Sequence, residues 1–126
     1  MRTGDGVTDW TDAQLIRDTQ VVFNVVSGRW TLPVLAALES GPRRHNELRR
    51  AIKPVHSKVL DETLRRMTEQ RLLTREVEPG SPPAVFYMLS QPARSLMDGL
   101  GPFLNWVDEN PSLLRYWREH AQRIRD

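Results

Sequence analysis

Between His56 and Arg71 one segment brings together a hydroxyl (Ser57), an ammonium (Lys58), carboxylates (Asp61, Glu62) and guanidiniums (Arg65, Arg66). Val59, Leu60, Leu64 and Met67 recur at helical spacing, so the polar groups fall off the apolar stripe and are free to meet a partner. Such donors and acceptors match base edges: Lys58 can donate to guanine, and a carboxylate can accept from the cytosine amino group. If this helix entered a major groove, Ser57, Lys58 and Glu62 near its start would meet the bases first. Arg65 and Arg66, further along, suit phosphates, and Arg43, Arg44, Arg49, Arg50 and Lys53 upstream would hold the backbone. Asn46 and His56, at the starts of two helices, and Arg75 beyond them complete the expected DNA-contacting set. A plainer reading pairs Asp61 with Arg65 and Glu62 with Arg66 at i,i+4, each pair contributing about 0.2–0.5 kcal/mol.

The charge distribution favours a polyanion. Residues 43–75 carry ten Lys or Arg against four acids, a net of +6 in a chain whose formal net charge is only +2. Both flanks are net acidic. No long basic amphipathic helix with an apolar face is present, which argues against a membrane sheet. Solvated surface charge is the alternative.

Other chemistries have little to stand on. The histidines are His45, His56 and His120, with no nucleophile motif and no phosphate-cradling glycine loop after a strand, so no catalytic residue and no enzyme activity is expected. The chain has no cysteine, which removes disulfides, thiolate metal sites and any thiol switch. No metal site or cofactor is expected. No apolar run is long enough to span a bilayer, and the acidic start with Asp5, Asp9 and Asp12 is unlike a signal peptide, so the expected compartment is the cytoplasm.

The elements that must position these residues are legible in outline. After a polar start, Thr11 or Asp12 caps a helix through Leu15, Ile16, Val22, Phe23 and Val26, too apolar for one stripe and therefore central to the core or shared with a second subunit. Gly28 ends it. A short helix from Trp30 to Glu39 follows with Pro33 in its first turn and Trp30 as a core anchor. Asn46 caps a helix from Glu47 to Ile52 with Leu48, Ala51 and Ile52 inward, and Ser57 caps the next one. Leu73–Glu78 and Ala84–Leu89 bracket Pro79-Gly80-Ser81-Pro82-Pro83, a β-hairpin with a stiff tip. Residues 91–110 read as one helix kinked near Pro102, and Pro111 opens a last helix carrying Leu113, Leu114, Trp117, Ala121 and Ile124. Helix-turn-helix followed by hairpin is a winged helix. The expected fold is mainly α with a small β-hairpin: one domain over 1–126, with a dimer or core helix at 11–27, helix-turn-helix at 44–71, wing at 72–89 and dimerisation helices at 91–126.

Ordered motifs sharpen this. Ser27-Gly28-Arg29-Trp30-Thr31, Gly41-Pro42-Arg43-Arg44, Asn46-Glu47-Leu48-Arg49-Arg50, Ser57-Lys58-Val59-Leu60, Pro82-Pro83-Ala84-Val85-Phe86-Tyr87-Met88-Leu89 and Arg94-Ser95-Leu96 together resemble the HxlR-type winged-helix regulators over about residues 20–108. The resemblance implies a small bacterial transcription factor, commonly a repressor, that binds pseudo-palindromic double-stranded promoter DNA as a homodimer through its terminal helices. Surplus apolar side chains agree: Leu15, Val22 and Phe23 with Leu100, Phe103, Leu104, Trp106 and Val107 exceed one small core. A monomer whose ends cover the winged helix is the alternative. Three departures stand out. The cysteine through which many members sense oxidants is absent, His45 stands where the family often has phenylalanine, and Ala84 stands where the wing often has a basic residue. Control would then pass to a small-molecule effector against Phe23, Trp30, Phe103 and Trp106, residues that could equally be core or interface. A winged-helix protein-interaction module with no DNA reading is the alternative function.

Overall fold

The computed structural model describes residues 9–121, which run α1 (Ala13–Val26), α2 (Thr31–Ala37), β1 (Arg43–Arg44), α3 (His45–Ala51), α4 (Ser57–Glu69), β2 (Leu73–Glu78), β3 (Ala84–Leu89), α5 (Gln91–Gly99), α6 (Gly101–Asp108) and α7 (Pro111–Glu119). The expected winged helix is present, and both wing strands have the expected bounds. The three antiparallel strands lie in the order β1-β3-β2. In the wing Leu73 faces Leu89 and Glu78 faces Ala84. The third strand was not foreseen: Arg43 and Arg44 pair with Tyr87 and Phe86, tying the start of the helix-turn-helix to the wing.

The core is assembled from α2 (Val34, Leu35), Leu38, α3 (Leu48), Ile52, Val55, α4 (Leu60, Leu64, Met67), the wing ends Leu73 and Leu89, and α5 (Ala93). Trp30 packs half-buried against it, as expected of an anchor. The first helix does not share this core, for Val26 is its only buried residue. Of the two places open to an apolar α1, the centre of the core is therefore the one it does not occupy. Ala51, expected inward, is exposed.

Helix starts differ from expectation in instructive ways. Asp12 caps α1 as expected, its carboxylate accepting from the Leu15 amide at 3.0 Å. At α4 the cap is His56 rather than Ser57, because the His56 carbonyl accepts the first helical bond, from Leu60, and Ser57 is already helical. At α3 the cap is Arg44 rather than Asn46: Glu47 reaches back to accept from the Arg44 amide at 2.8 Å, leaving Asn46 inside the first turn. The expected kinked helix is broken into α5 and α6 at Leu100, with Gly99, Gly101 and Pro102 weakening the turn. Ile124, assigned to the last helix, lies outside the described residues, as do residues 1–8 of the expected polar start.

The junction between α4 and the wing carries a local tension. Leu72 donates to the Met67 carbonyl at 3.0 Å and Arg71 to that of Thr68, a double bond pattern that closes the helix end with Arg71 left-handed at φ 64°. Ser90 clamps the same turn, its hydroxyl donating to the Arg71 carbonyl at 2.8 Å and its amide to that of Leu72. A side chain at such φ is strained, and glycine is not. Arg71→Gly is expected to raise stability by about 0.5–1 kcal/mol in urea unfolding, the relief of strain exceeding the added entropy of the unfolded chain. A loss of stability would show that the Arg71 side chain itself anchors the turn.

Candidate nucleic-acid interface

The inward face of α4 is set by Leu60, Thr63, Leu64 and Met67, all buried. Helical geometry then places Lys58, Glu62 and Arg65 on the opposite side, exposed, with His56 and Ser57 exposed at the helix start. Arg44, Asn46, Arg49, Arg50 and Lys53 are exposed around α3, and Arg75 is exposed on β2. The expected DNA-contacting residues thus fall on α4, the approach to it and the near strand of the wing.

Two of them have partners inside the fold. Arg43 is half-buried and its Nε donates to the Ala37 carbonyl at 2.7 Å, joining β1 to the end of α2. Arg66 turns toward α2, where its Nη2 donates to the buried Thr31 hydroxyl at 3.1 Å. That approach depends on Gly28, because a Cβ there would stand 2.8 Å from Thr31 Oγ1 and 3.1 Å from Arg66 Nη2. The bond removes Arg66 from Glu62, so the expected i,i+4 pair is not made. Arg44 remains at the surface with its guanidinium 5.2 Å from the centre of the Phe86 ring, a stacking that orders it without neutralising it.

Asp61 also departs from its expected partner. Its Oδ1 lies 2.7 Å from Nε2 of His45, across the corner between α3 and α4, instead of pairing with Arg65 one turn on. The ring nitrogen is buried and makes no hydrogen bond, so the contact is a close polar approach out of line with the ring N–H. Nothing in the local sequence pattern marks this pair, since the i,i+4 rule points Asp61 elsewhere.

The wing is poor in positive charge. Glu76 and Glu78 are exposed beside Arg75, and Ala84 is half-buried at the tip end of β3. Of the expected effector residues, Trp30 lines a cleft of about 380 Å³ with Arg29, Pro54, Val55, His56 and Val59. Phe23, Phe103 and Trp106 are not among its walls; all three are exposed, and Trp106 stacks on Trp117 at 6.4 Å. Arg29, absent from the expected set, lies 5.1 Å from the Trp30 ring centre at the edge of this cleft.

Among the described residues no helix is long and apolar enough to cross a membrane, and no cluster of three or more histidine or acidic side chains could hold a metal ion.

Comparison with known proteins agrees with the arrangement. An HTH-type transcriptional regulator of Methanothermobacter thermautotrophicus is 32% identical over 98 residues, covering 78% of this chain and 75% of that protein. A crystal structure of a MarR-family transcriptional regulator from Enterococcus faecalis superposes with a TM-score of 0.73 at 25% identity, covering 90% of this chain and 99% of that one. The redox regulator HypR in its reduced form superposes with a TM-score of 0.72 at 25% identity, covering 79% and 98%. With residues 25–113 matching the HxlR-like helix-turn-helix family, this chain belongs to that family of DNA-binding transcriptional regulators.

Proposed function

We propose that this chain is a repressor that acts in the cytoplasm as a homodimer on a pseudo-palindromic operator, and that its control does not pass through cysteine oxidation. The observation that carries the DNA half is the outward face of α4, where Lys58, Glu62 and Arg65 stand opposite a fully buried face with exposed cations of α3 and β2 around them. The dimer half is supported by apolar surface outside the core. Val21, Val22 and Phe23 of α1, Phe103, Leu104 and Trp106 of α6, and Leu113, Tyr116 and Trp117 of α7 are exposed, while α6 and α7 bury nothing. Leu15, Leu100 and Val107 are half-buried beside them. A small-molecule effector seated against Trp30 fits the reading, because the Trp30 cleft borders His56 and Val59 at the start of α4.

Selection of genomic fragments on the purified protein tests this. The expected product is a pseudo-palindrome whose half-sites are about 10 base pairs apart or a multiple of that. No enrichment over random fragments would sink the DNA reading in favour of a protein-interaction module. Sedimentation at micromolar concentration should give twice the monomer mass. On the selected site Lys58→Ala should lose about 1–3 kcal/mol of binding, with a much smaller loss on random duplex if Lys58 reads a base. Equal losses would make it a phosphate contact.

A further inference from the structure

A cleft of about 370 Å³ lies between α4 and the wing, walled by Asp61, Arg65, Thr68, Glu69, Arg75 and Tyr87. Its two cations come from different elements, Arg65 from the outward side of α4 and Arg75 from β2, and neither has an ion-pair partner among the described residues. The Thr68 hydroxyl is committed to the Leu64 carbonyl at 2.7 Å, which leaves the guanidiniums and the Tyr87 hydroxyl as donors to an occupant. Opposing them are two carboxylates, that of the exposed Glu69 and that of Asp61, whose side chain is 66% exposed and whose Oδ1 is approached across the α3–α4 corner by the buried Nε2 of His45.

We propose that this cleft seats one backbone phosphate of bound duplex DNA between Arg65 and Arg75, with Asp61 as a counter-charge that His45 holds toward α3. The inference rests on the DNA-binding reading and deepens it. Two guanidiniums supply the planar donor forks that phosphate oxygens accept best, and the wall contributed by β2 gives the wing a grip at its base instead of at its acidic edge. A bare carboxylate at the rim repels the incoming phosphate. The 2.7 Å approach of His45 Nε2 keeps Oδ1 to the α3 side, so the imidazole is a positioning residue that acts through Asp61. Phenylalanine at position 45 has no polar atom to do so.

The test measures binding of the full chain to a random-sequence duplex of about 30 base pairs across a salt series, using Arg75→Gln, Asp61→Asn, His45→Phe and the His45→Phe/Asp61→Asn double variant. Arg75→Gln should weaken binding and shallow the logarithmic salt slope by about one per protomer. Asp61→Asn should tighten binding about two- to fivefold, the effect of one unit charge a few ångströms from a phosphate in a water-like dielectric. His45→Phe should weaken it, and the double variant should bind like Asp61→Asn alone, because His45 matters only through the carboxylate. On the selected operator carrying single methylphosphonates, one position per half-site should impair wild type and impair Arg75→Gln much less. Asp61→Asn binding no tighter than wild type, or a double variant equal to the sum of the singles, overturns the proposal. Should His45→Phe fail to fold, Asp61→Asn and the methylphosphonate scan decide it alone. Wild type that binds no duplex at low salt defeats the DNA reading itself, whereas binding indifferent to Arg75 and Asp61 defeats only the cleft.

Discussion

Binding to duplex DNA should fall by about 10³–10⁵ between 50 and 200 mM salt, the loss expected when a protein neutralises some six to ten phosphates. The side chains left at the surface set that number of phosphates. Arg44, Arg49, Arg50, Lys53, Lys58, Arg65 and Arg75 are exposed and none is paired with an acid among the described residues, while Arg43 and Arg66 have donors occupied inside the fold. Three to five phosphate contacts per protomer, doubled by the two-fold of a dimer, fill the range. A mobility-shift or anisotropy series measures the slope directly, with a logarithmic change of about 0.9 per phosphate. Half the slope would indicate that one protomer binds alone. A flat series would mean that the basic segment is solvated surface, and the function would have to be sought in a protein partner.

Which of these residues could be named from sequence depended on how far away their partners lie. Lys58, Glu62 and Arg65 face outward because Leu60, Leu64 and Met67 face inward, a relation contained within one helix. The hairpin was legible for the same reason, its β-branched and aromatic runs being closed by a local turn. Arg66 and Thr31 are 35 residues apart, and their bond exists because α1 and α2 meet at a glycine that leaves room for it. His45 and Asp61 meet only across the helix-turn-helix corner, where the local rule assigns Asp61 to Arg65. Two arginines carry no strand signal, so β1 had none to offer; it forms because β3 presents a free edge to the chain entering α3. Asp12 caps α1 as its short polar side chain predicts, but the caps of α3 and α4 lie one or two residues from the expected ones, since the chain uses a carbonyl at His56 and a reaching carboxylate at Glu47 instead of such a side chain. α1 was ambiguous in sequence because the same apolar surplus serves a core or a partner. Its exposure removes the first option.

Leu64→Ala should destabilise the fold by about 2–5 kcal/mol, because Leu64 is fully buried where α4 meets the rest of the core and its removal leaves a cavity that close-packed neighbours fill only in part. For a domain with about 5–15 kcal/mol in hand, the loss is a large fraction of the total. The melting temperature should fall by roughly 10 °C or more. The effect on DNA should be of another kind. A variant that keeps even about 3 kcal/mol is over 99% folded at 25 °C, so the outward face of α4 is still presented and operator affinity changes little. Lys58→Ala is the mirror image, since an exposed side chain with no partner among the described residues leaves the melting temperature almost unchanged while affinity drops. Measured together by thermal melts and binding titrations, the two variants separate the two faces of one helix. If Leu64→Ala lost operator affinity while remaining folded at 25 °C, the position of α4 would depend on the packing of Leu64 itself. The helix would then be held for DNA by its core contacts rather than by its exposed side chains alone.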